Sequence, residues 1–253
     1  RVAGILYTAG PQWPAAGGGG GGGGSATVTG LDARGDSMTE GFGGGGTNYP
    51  TVLGGYVPVP VINNGKSYYT STEVALESGG LDVWVTAQGN LIPASGGVAV
   101  TVSPTSWGGA TARNFYGTLG GILGTLSKSA GGTWTFTRSA PGAATALPPE
   151  TRWISDSRGV GGLAPIIWAG RNNVNVERVT RDVRAMVNWA TMRRMPYLVI
   201  PIFNAQSEPS GSAGYANVMA VNDALAAEYG PNFYDLRGWL IRNGLAAAGI
   251  TPT

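Results

Sequence analysis

The chain has 253 residues, of which 42% are hydrophobic and only 12% are charged, and its formal net charge is +2. That length can hold one large domain, or one domain with an inserted module, and the balance of 16 basic and 14 acidic residues excludes nucleic-acid binding through bulk charge. Cysteine is absent, which excludes disulfides and thiolate metal sites, and no apolar run approaches the roughly 20 residues of a membrane span.

The first 24 residues end in an unbroken run of glycines, Gly17–Gly24. Glycine has the largest backbone entropy and no side chain to bury, so residues 1–24 are interpreted as a glycine-rich linker. A second interpretation stays open, in which some glycines stand for unidentified residues; the shorter run Gly43–Gly46 would fit that interpretation too.

Two stretches, 25–80 and 151–253, alternate apolar strands with amphipathic helices. The first is predicted to contain strands at 26–33 and 57–62, a turn at Asn63–Gly65, and helices at 48–55 and 71–77. The second is predicted to contain strands at 165–169, 197–203 and 233–236, and helices at 176–194, 215–229 and 236–247. This rhythm predicts a parallel sheet with helices on both faces, whose active site lies beyond the carboxyl ends of the strands.

Residues 81–150 have a different pattern and are predicted to form a β-rich insertion, with strands at 81–87, 98–102 and 133–138. The insertion is rich in aromatic residues: Trp84, Trp107, Phe115, Tyr116, Trp134 and Phe136. These aromatic residues have two interpretations. They form the core of the module, or they form a platform on which sugar rings stack.

Two short motifs follow predicted strands and carry the candidate chemistry. Ser37, in Gly35-Asp36-Ser37, comes directly after the first strand, so its hydroxyl can project over the sheet edge while its own N–H serves as an oxyanion donor. Asn172, which follows the strand at 165–169, can add a side-chain N–H to the same hole. Ser37 and Asn172 are therefore predicted to be nucleophile and charge stabiliser.

These two motifs, Gly35-Asp36-Ser37-Met38-Thr39-Glu40-Gly41 and Gly170-Arg171-Asn172-Asn173, resemble the first and third sequence blocks of the SGNH (GDSL-type) hydrolases. The resemblance covers residue 25 to the end, without 81–150. It implies an α/β protein with a three-layer α/β/α, flavodoxin-like SGNH fold, a parallel sheet and an inserted small β-rich module. The hydrolase domain would then consist of residues 25–80 and 151–253.

The resemblance also assigns further site residues. The second block of the family supplies a glycine N–H to the oxyanion hole, and Tyr68 stands at that place, where a glycine-only backbone shape would strain a tyrosine. The resemblance places Asp36, Gly170, Arg171 and Asn173 next to the substrate, and Asn173 replaces an acidic residue of the family pattern.

One block of the family pattern is absent. The general base of these enzymes is the histidine of an Asp-x-x-His block near the C-terminus, whereas this sequence contains no histidine. We expect that block beyond Thr253, shortly after the last predicted helix. Asp235 is expected to be a strand-end residue, not the partner of a catalytic histidine.

The function implied by the resemblance is that of a serine esterase that removes short acyl groups, such as acetyl, from a polysaccharide through a Ser37 acyl-enzyme, without cofactor or metal. The expected partners are a polysaccharide or glycan ester and other subunits of a virion or surface assembly, with an extracellular or virion-associated (tail or fibre) location. No nucleic acid and no membrane span are expected. The alternative is a non-catalytic carbohydrate-binding or structural adhesion module on the same fold.

Overall fold

A computed structural model describes residues 26–104 and 111–248 of the protein. The predicted linker 1–24, together with Trp107, lies outside the described residues. The chain divides into two compact units, one formed by Arg1–Val74 with Gly159–Thr253 and the other by Ala75–Arg158. The domain bounds drawn from the sequence stay a prediction.

The described strands are β1 (Gly30–Gly35), β2 (Val61–Gly65), β3 (Val83–Ala87), β4 (Leu91–Ile92), β5 (Gly97–Ser103), β6 (Arg113–Leu119), β7 (Ile122–Lys128), β8 (Trp134–Arg138), β9 (Thr145–Ala146), β10 (Thr151–Ser155), β11 (Leu163–Trp168) and β12 (Leu198–Val199). The described α-helices are α1 (Ser37–Glu40), α2 (Tyr49–Gly54), α3 (Ser71–Ser78), α4 (Val176–Met192), α5 (Ala213–Tyr229) and α6 (Leu236–Ala248). Short 3-10 turns lie at Gln88–Asn90, Arg171–Asn173 and Gly230–Asn232.

The first unit is built on a parallel sheet with the strand order β12-β11-β1-β2, which confirms the predicted α/β class and parallel sheet. Gly35 at the end of β1 is in register with Trp168 of β11 and with Gly65 of β2. The three strands therefore end level with one another, and the loops that follow them start from one edge of the sheet.

The turn predicted at Asn63–Gly65 is wrong, because these residues form the last part of β2. The Asn63 side chain accepts a hydrogen bond from the Gly65 N–H at 2.9 Å and donates to the Glu40 carbonyl at 3.3 Å. A Cβ on Gly65 would collide with the backbone of Glu40. The glycine is therefore required by close backbone packing, and the asparagine supplies polar contacts between elements, although both residue types also favour turns.

A charged pair is buried on one face of β1. Asp32 and Arg34 lie two residues apart, so their side chains share that face, and the Arg34 Nε donates to Asp32 at 2.8 Å. The Asn64 amide of β2 donates to the other oxygen of Asp32 at 2.7 Å. Because a buried charge is costly unless it is paired and hydrogen-bonded, these partners are what make Asp32 tolerable inside the sheet.

The C-terminal strands are shorter than predicted. The strand expected at 197–203 is regular only in β12, and the strand expected at 233–236 is reduced to one parallel bridge between Val199 and Phe233. Beyond β12, the buried Asn222 of α5 replaces a strand partner, since its amide accepts from the Ile202 N–H and donates to the Ile202 carbonyl, both at 2.9 Å. A side chain thus completes backbone hydrogen bonding that the sequence pattern assigned to a strand.

A hydrophobic cluster joins β1 and β11 with α2, α6 and the segment after β12; its buried members are Leu31, Leu53, Ala164, Ile166, Trp168, Ile200 and Leu236. Separately, α4 packs against β11 and α5. Its buried face, with Val179, Val183, Met186 and Ala190, follows the spacing that predicted this helix. The flavodoxin-like layering stays a prediction.

The second unit is a closed barrel of antiparallel strands with the order β10-β3-β5-β8-β7-β6. Phe115, Trp134 and Phe136 are buried, which favours the core interpretation for these aromatic residues, whereas Trp84 and Tyr116 are exposed. The sequence did not predict β6, β7 or β10. Glycines within β6 and β7 obscure the strand pattern, but they are needed there because a Cβ would collide with neighbouring backbone or rings.

No helix in residues 26–104 and 111–248 combines the length and the apolar character that crossing a bilayer requires.

Replacing Asn222 by alanine should destabilise the first unit. The Asn222→Ala variant leaves the Ile202 N–H and carbonyl without their partner in a buried setting, and we expect a loss of about 2–4 kcal/mol in the free energy of unfolding. Urea unfolding followed by circular dichroism measures it. The exposed Asn243, whose amide donates to the Trp239 carbonyl, is the matched control, and Asn243→Ala should cost no more than about 0.5 kcal/mol.

Candidate active site

Ser37 lies where β1 turns into α1. Asp36 is the N-cap of this short helix, and its side chain accepts from the Met38 N–H at 3.1 Å. The Asp36 carbonyl accepts from Thr39 and Glu40 at 3.1 and 3.0 Å. These bonds use three of the four backbone N–H groups of α1, those of Met38, Thr39 and Glu40. The N–H of Ser37 is the remaining donor, and it belongs to the same residue as the half-buried hydroxyl side chain.

The loop after β2 lies against this turn. The Lys66 N–H donates to the Gly35 carbonyl at 3.1 Å, and the Tyr69 N–H donates to the Lys66 carbonyl at 3.2 Å. Between them, Tyr68 has a left-handed backbone, with φ of 63°. That conformation costs a non-glycine residue roughly 1–2 kcal/mol, so the shape that the sequence analysis expected a glycine to fill is occupied by a tyrosine.

The third loop follows β11. Gly170 has φ of 123°, and a Cβ there would meet the side chain of Val179. In the 3-10 turn that follows, the Asn172 amide donates to the Tyr69 carbonyl at 2.9 Å. An amide nitrogen carries two hydrogens, so this bond orients Asn172 and leaves a second N–H for a ligand.

These loops bring the predicted nucleophile and oxyanion residues to one edge of the sheet. Lys66 joins the second loop to the end of β1, and Asn172 joins the third loop to the second. Ser37, Tyr68 and Asn172 thus belong to three loops that follow adjacent strands. Their catalytic roles stay predictions.

Asn173 joins the third loop to the start of α3. Its Oδ1 accepts from the Ser71 N–H at 2.9 Å and its Nδ2 donates to the Ser71 hydroxyl at 2.8 Å. The Ser71 and Thr72 hydroxyls in turn donate to the buried Asp182 of α4, each at 2.6 Å. Asn173, predicted to lie next to the substrate, therefore uses both of its polar atoms within the protein.

Arg171, also predicted to lie next to the substrate, is held by a loop that sequence analysis did not connect with the site. Its guanidinium donates to Glu208 at 2.8 Å and to the Phe203 carbonyl at 3.2 Å. The hydrogen bond from Arg171, followed by that from the Ala205 N–H, lowers the pKa of Glu208. The two partners are 37 residues apart, and no spacing in the sequence indicates the pair.

Burial dominates the electrostatics of Asp36. Removal from water raises the pKa of its carboxyl above the usual 3.8, and the N–H groups of Met38 and Arg171 with the charge of Arg171 oppose that shift only partly. Oδ2 is buried and makes no hydrogen bond of good geometry within the described residues, although the Arg171 N–H lies near enough to affect the pKa. The carboxyl is thus built into the turn that presents Ser37.

The two carboxylates nearest Ser37 in the chain already have partners within the protein. Asp36 caps α1, and the carboxylate of Glu40 accepts from the Ser67 hydroxyl. Asp235, expected at the end of a strand, lies two residues after the Val199–Phe233 bridge and caps α6, where it accepts from the Gly238 N–H at 2.8 Å. Among the described residues there is also no group of three or more acidic residues that could hold a metal ion.

Comparisons with known proteins give one sequence relative and several structures. No family model matches the chain. It is 27% identical over 208 residues to the tail spike protein of Salmonella phage epsilon15, covering 74% of this chain and 19% of that protein. The chain therefore spans about a fifth of the length of this curated relative.

The solved structures similar to the chain include AlinE4, which is described as an SGNH-hydrolase family esterase, and two of its single-residue mutants. AlinE4 is 14% identical to this chain, with a TM-score of 0.42, and the match covers 90% of this chain and 99% of that one.

Replacing Tyr68 by glycine should stabilise the first unit. Glycine adopts the left-handed backbone without the steric cost, so Tyr68→Gly is expected to gain about 1 kcal/mol in the free energy of unfolding. Tyr56, an exposed tyrosine without a left-handed backbone, is the matched control, and Tyr56→Gly should lose about 0.5–1 kcal/mol. Urea unfolding of both variants measures the contrast, and equal losses would contradict the strain at Tyr68.

The raised pKa of Asp36 predicts the direction in which the free energy of unfolding changes with pH. The folded protein holds the Asp36 proton more tightly than the unfolded chain, so this contribution is fully present below pH 3.8 and is lost as pH rises through the raised pKa. Asp36→Asn removes this titration. The unfolding free energy of the variant relative to the parent should therefore rise as the pH increases from below 3.8 towards neutral. Urea unfolding across that interval measures it, and a flat difference would contradict the assignment.

Proposed function

We propose that the protein is a serine esterase of the SGNH type that cleaves short acyl esters, such as acetyl esters, on a polysaccharide. In this mechanism the Ser37 oxygen attacks the ester carbonyl and forms an acyl-enzyme, and the alcohol leaves as the sugar hydroxyl. Water then attacks the acyl-enzyme and releases the carboxylic acid, which frees Ser37.

One observation carries the proposal: a serine on a helix N-terminus and an asparagine anchored by its amide belong to loops that follow adjacent strands. The Ser37 N–H is the donor that the cap of α1 leaves over, and Asn172 retains a second N–H beyond its bond to Tyr69. Both can stabilise the negative oxygen of a tetrahedral intermediate. A donor of this kind contributes about 2.7–4 kcal/mol to the transition state.

Ser37 must give its proton to a base when it attacks, and these 253 residues contain no histidine that could accept it. We infer that a histidine of an Asp-x-x-His block outside them completes the site. Without a base, a serine enzyme retains only the residual catalysis that comes from the oxyanion hole and substrate binding. Measuring the intact mass of the native polypeptide and sequencing its C-terminus test this part of the proposal.

The similarity to a phage tail spike protein supports a place on a virion. We propose that the substrate there is a polysaccharide of the host surface. The same similarity, with the absence of histidine, favours one alternative: a non-catalytic carbohydrate-binding or adhesion module of a virion assembly. The two functions differ in whether substrate is consumed.

Mutation of the two site residues separates these functions. Ser37→Ala removes the attacking atom and should lower kcat/KM for an acetyl ester at least about a thousandfold, whereas Asn172→Ala, which keeps the nucleophile, should lower kcat about a hundredfold. Acetate release from an acetylated polysaccharide by the native, full-length protein measures both.

The exposed Ser207, on a loop after β12, provides the control, and Ser207→Ala should hydrolyse the ester at the parent rate. Circular dichroism checks that each variant is folded. Equal rates for Ser37→Ala and the parent would remove Ser37 from the mechanism, and binding without any acetate release by the full-length parent would favour the adhesion module.

A further inference from the structure

Two aromatic rings lie exposed beside the proposed nucleophile. Phe42 is 72% exposed and Tyr68 is 65% exposed, and their ring centroids are 6.4 Å apart with an angle of 57° between the planes. Exposed large apolar side chains that cluster at a candidate site indicate a binding surface more strongly than isolated ones do. Neither ring adds to the described core of this unit.

Both rings are fixed to the machinery of the proposed site by short backbone connections. The Phe42 N–H donates to the Ser37 carbonyl at 2.9 Å, so the backbone that carries this ring is held against that of the nucleophile. Tyr68 precedes Tyr69, whose carbonyl accepts from the Asn172 amide. A ligand that contacts both rings therefore lies next to the proposed oxyanion donors.

The backbone of Tyr68 adds an independent argument. Its φ of 63° is strained for any residue with a side chain, and an exposed ring does not repay that strain through burial. Strained residues of this kind concentrate at functional sites.

The polar groups next to the rings indicate which ligand they suit. The Ser67 hydroxyl and the Glu40 carboxylate are hydrogen-bonded to each other, and they belong to the same two loops as Tyr68 and Phe42. An alkyl chain would gain nothing from these groups, whereas the hydroxyls of a sugar can bond to them while its C–H face packs on an aromatic ring. We propose that Phe42 and Tyr68 form a stacking site for the pyranose ring that carries the ester.

This inference rests on the proposed function, and a binding measurement tests it separately from catalysis. Four mono-O-acetylated methyl pyranosides, those of glucose, galactose, mannose and rhamnose, are titrated into the Ser37→Ala protein, in which turnover plays no part, and the dissociation constant is measured by NMR. Adding Phe42→Ala or Tyr68→Ala should raise the Kd of the best-bound pyranoside about tenfold, since each removes one aromatic contact. Phe42→Tyr and Tyr68→Phe keep a ring and should stay within about twofold of the Ser37→Ala protein.

Hydrolysis supplies a second readout with the full-length protein. Phe42→Ala, with Ser37 intact, should raise KM for the acetylated pyranoside about tenfold but change the rate on methyl acetate, which has no sugar ring, by less than about twofold. The exposed Tyr56 is the control, and Tyr56→Ala should change neither the KM for the acetylated pyranoside nor the rate on methyl acetate.

The outcomes separate the two proposals. An unchanged Kd in both alanine variants, no binding of any of the four pyranosides, or an equal loss on methyl acetate would overturn the stacking site. If Ser37→Ala hydrolyses at the parent rate, the proposed function fails, while the Kd values still decide whether the rings bind sugar.

Discussion

The geometry of the candidate site depends on the absence of a side chain at Gly35. A Cβ there would collide with the Thr39 hydroxyl and with the Trp168 carbonyl, so the first turn of α1 and the end of β11 both close directly onto the β1 backbone. Gly65 plays a similar part at the end of β2, where the backbone of Glu40 takes the space of a side chain. Because α1 starts immediately after this close packing, the position of Ser37 relative to its neighbouring strands is fixed by the close approach of Thr39 and Trp168 to the β1 backbone.

Polar side chains then hold the loops that leave this edge. Asn172 bonds a carbonyl of the second loop, and Asn173 bonds Ser71, whose hydroxyl reaches Asp182. Such networks stabilise only when each member has its partners, because a buried polar atom left unpaired costs more than the bond is worth. The loops of the site are thus coupled to α3 and α4 through a chain of specific hydrogen bonds.

The sequence predicts those parts of the fold in which local pattern and tertiary role agree. The amphipathic spacing of α4 and the apolar run of β11 specify a helix and a buried strand, and both are found. Asn63–Gly65 misleads because the residues that favour turns here bond to α1 and to β1 and permit close packing. β12 is short because Asn222 satisfies the following backbone, and that contact joins residues 20 apart in the chain.

The candidate site likewise has features that local sequence pattern predicts and features that depend on contacts between distant residues. Motifs within a few residues of a strand end, around Ser37 and Asn172, can be found from sequence because the sheet brings such ends together. The Arg171–Glu208 pair could not be predicted, since the partner comes from a loop with no pattern of its own. The left-handed backbone of Tyr68 was anticipated as a difficulty from the family's glycine, whereas the exposure of its ring became apparent only from the structure.

The closed barrel of the second unit has a consequence for self-association. All six of its strands have hydrogen-bonded neighbours on both sides, so the ring of β10, β3, β5, β8, β7 and β6 has no free edge. An open edge is a template on which another chain can add a strand and start aggregation. Closing the sheet removes that route for the six barrel strands.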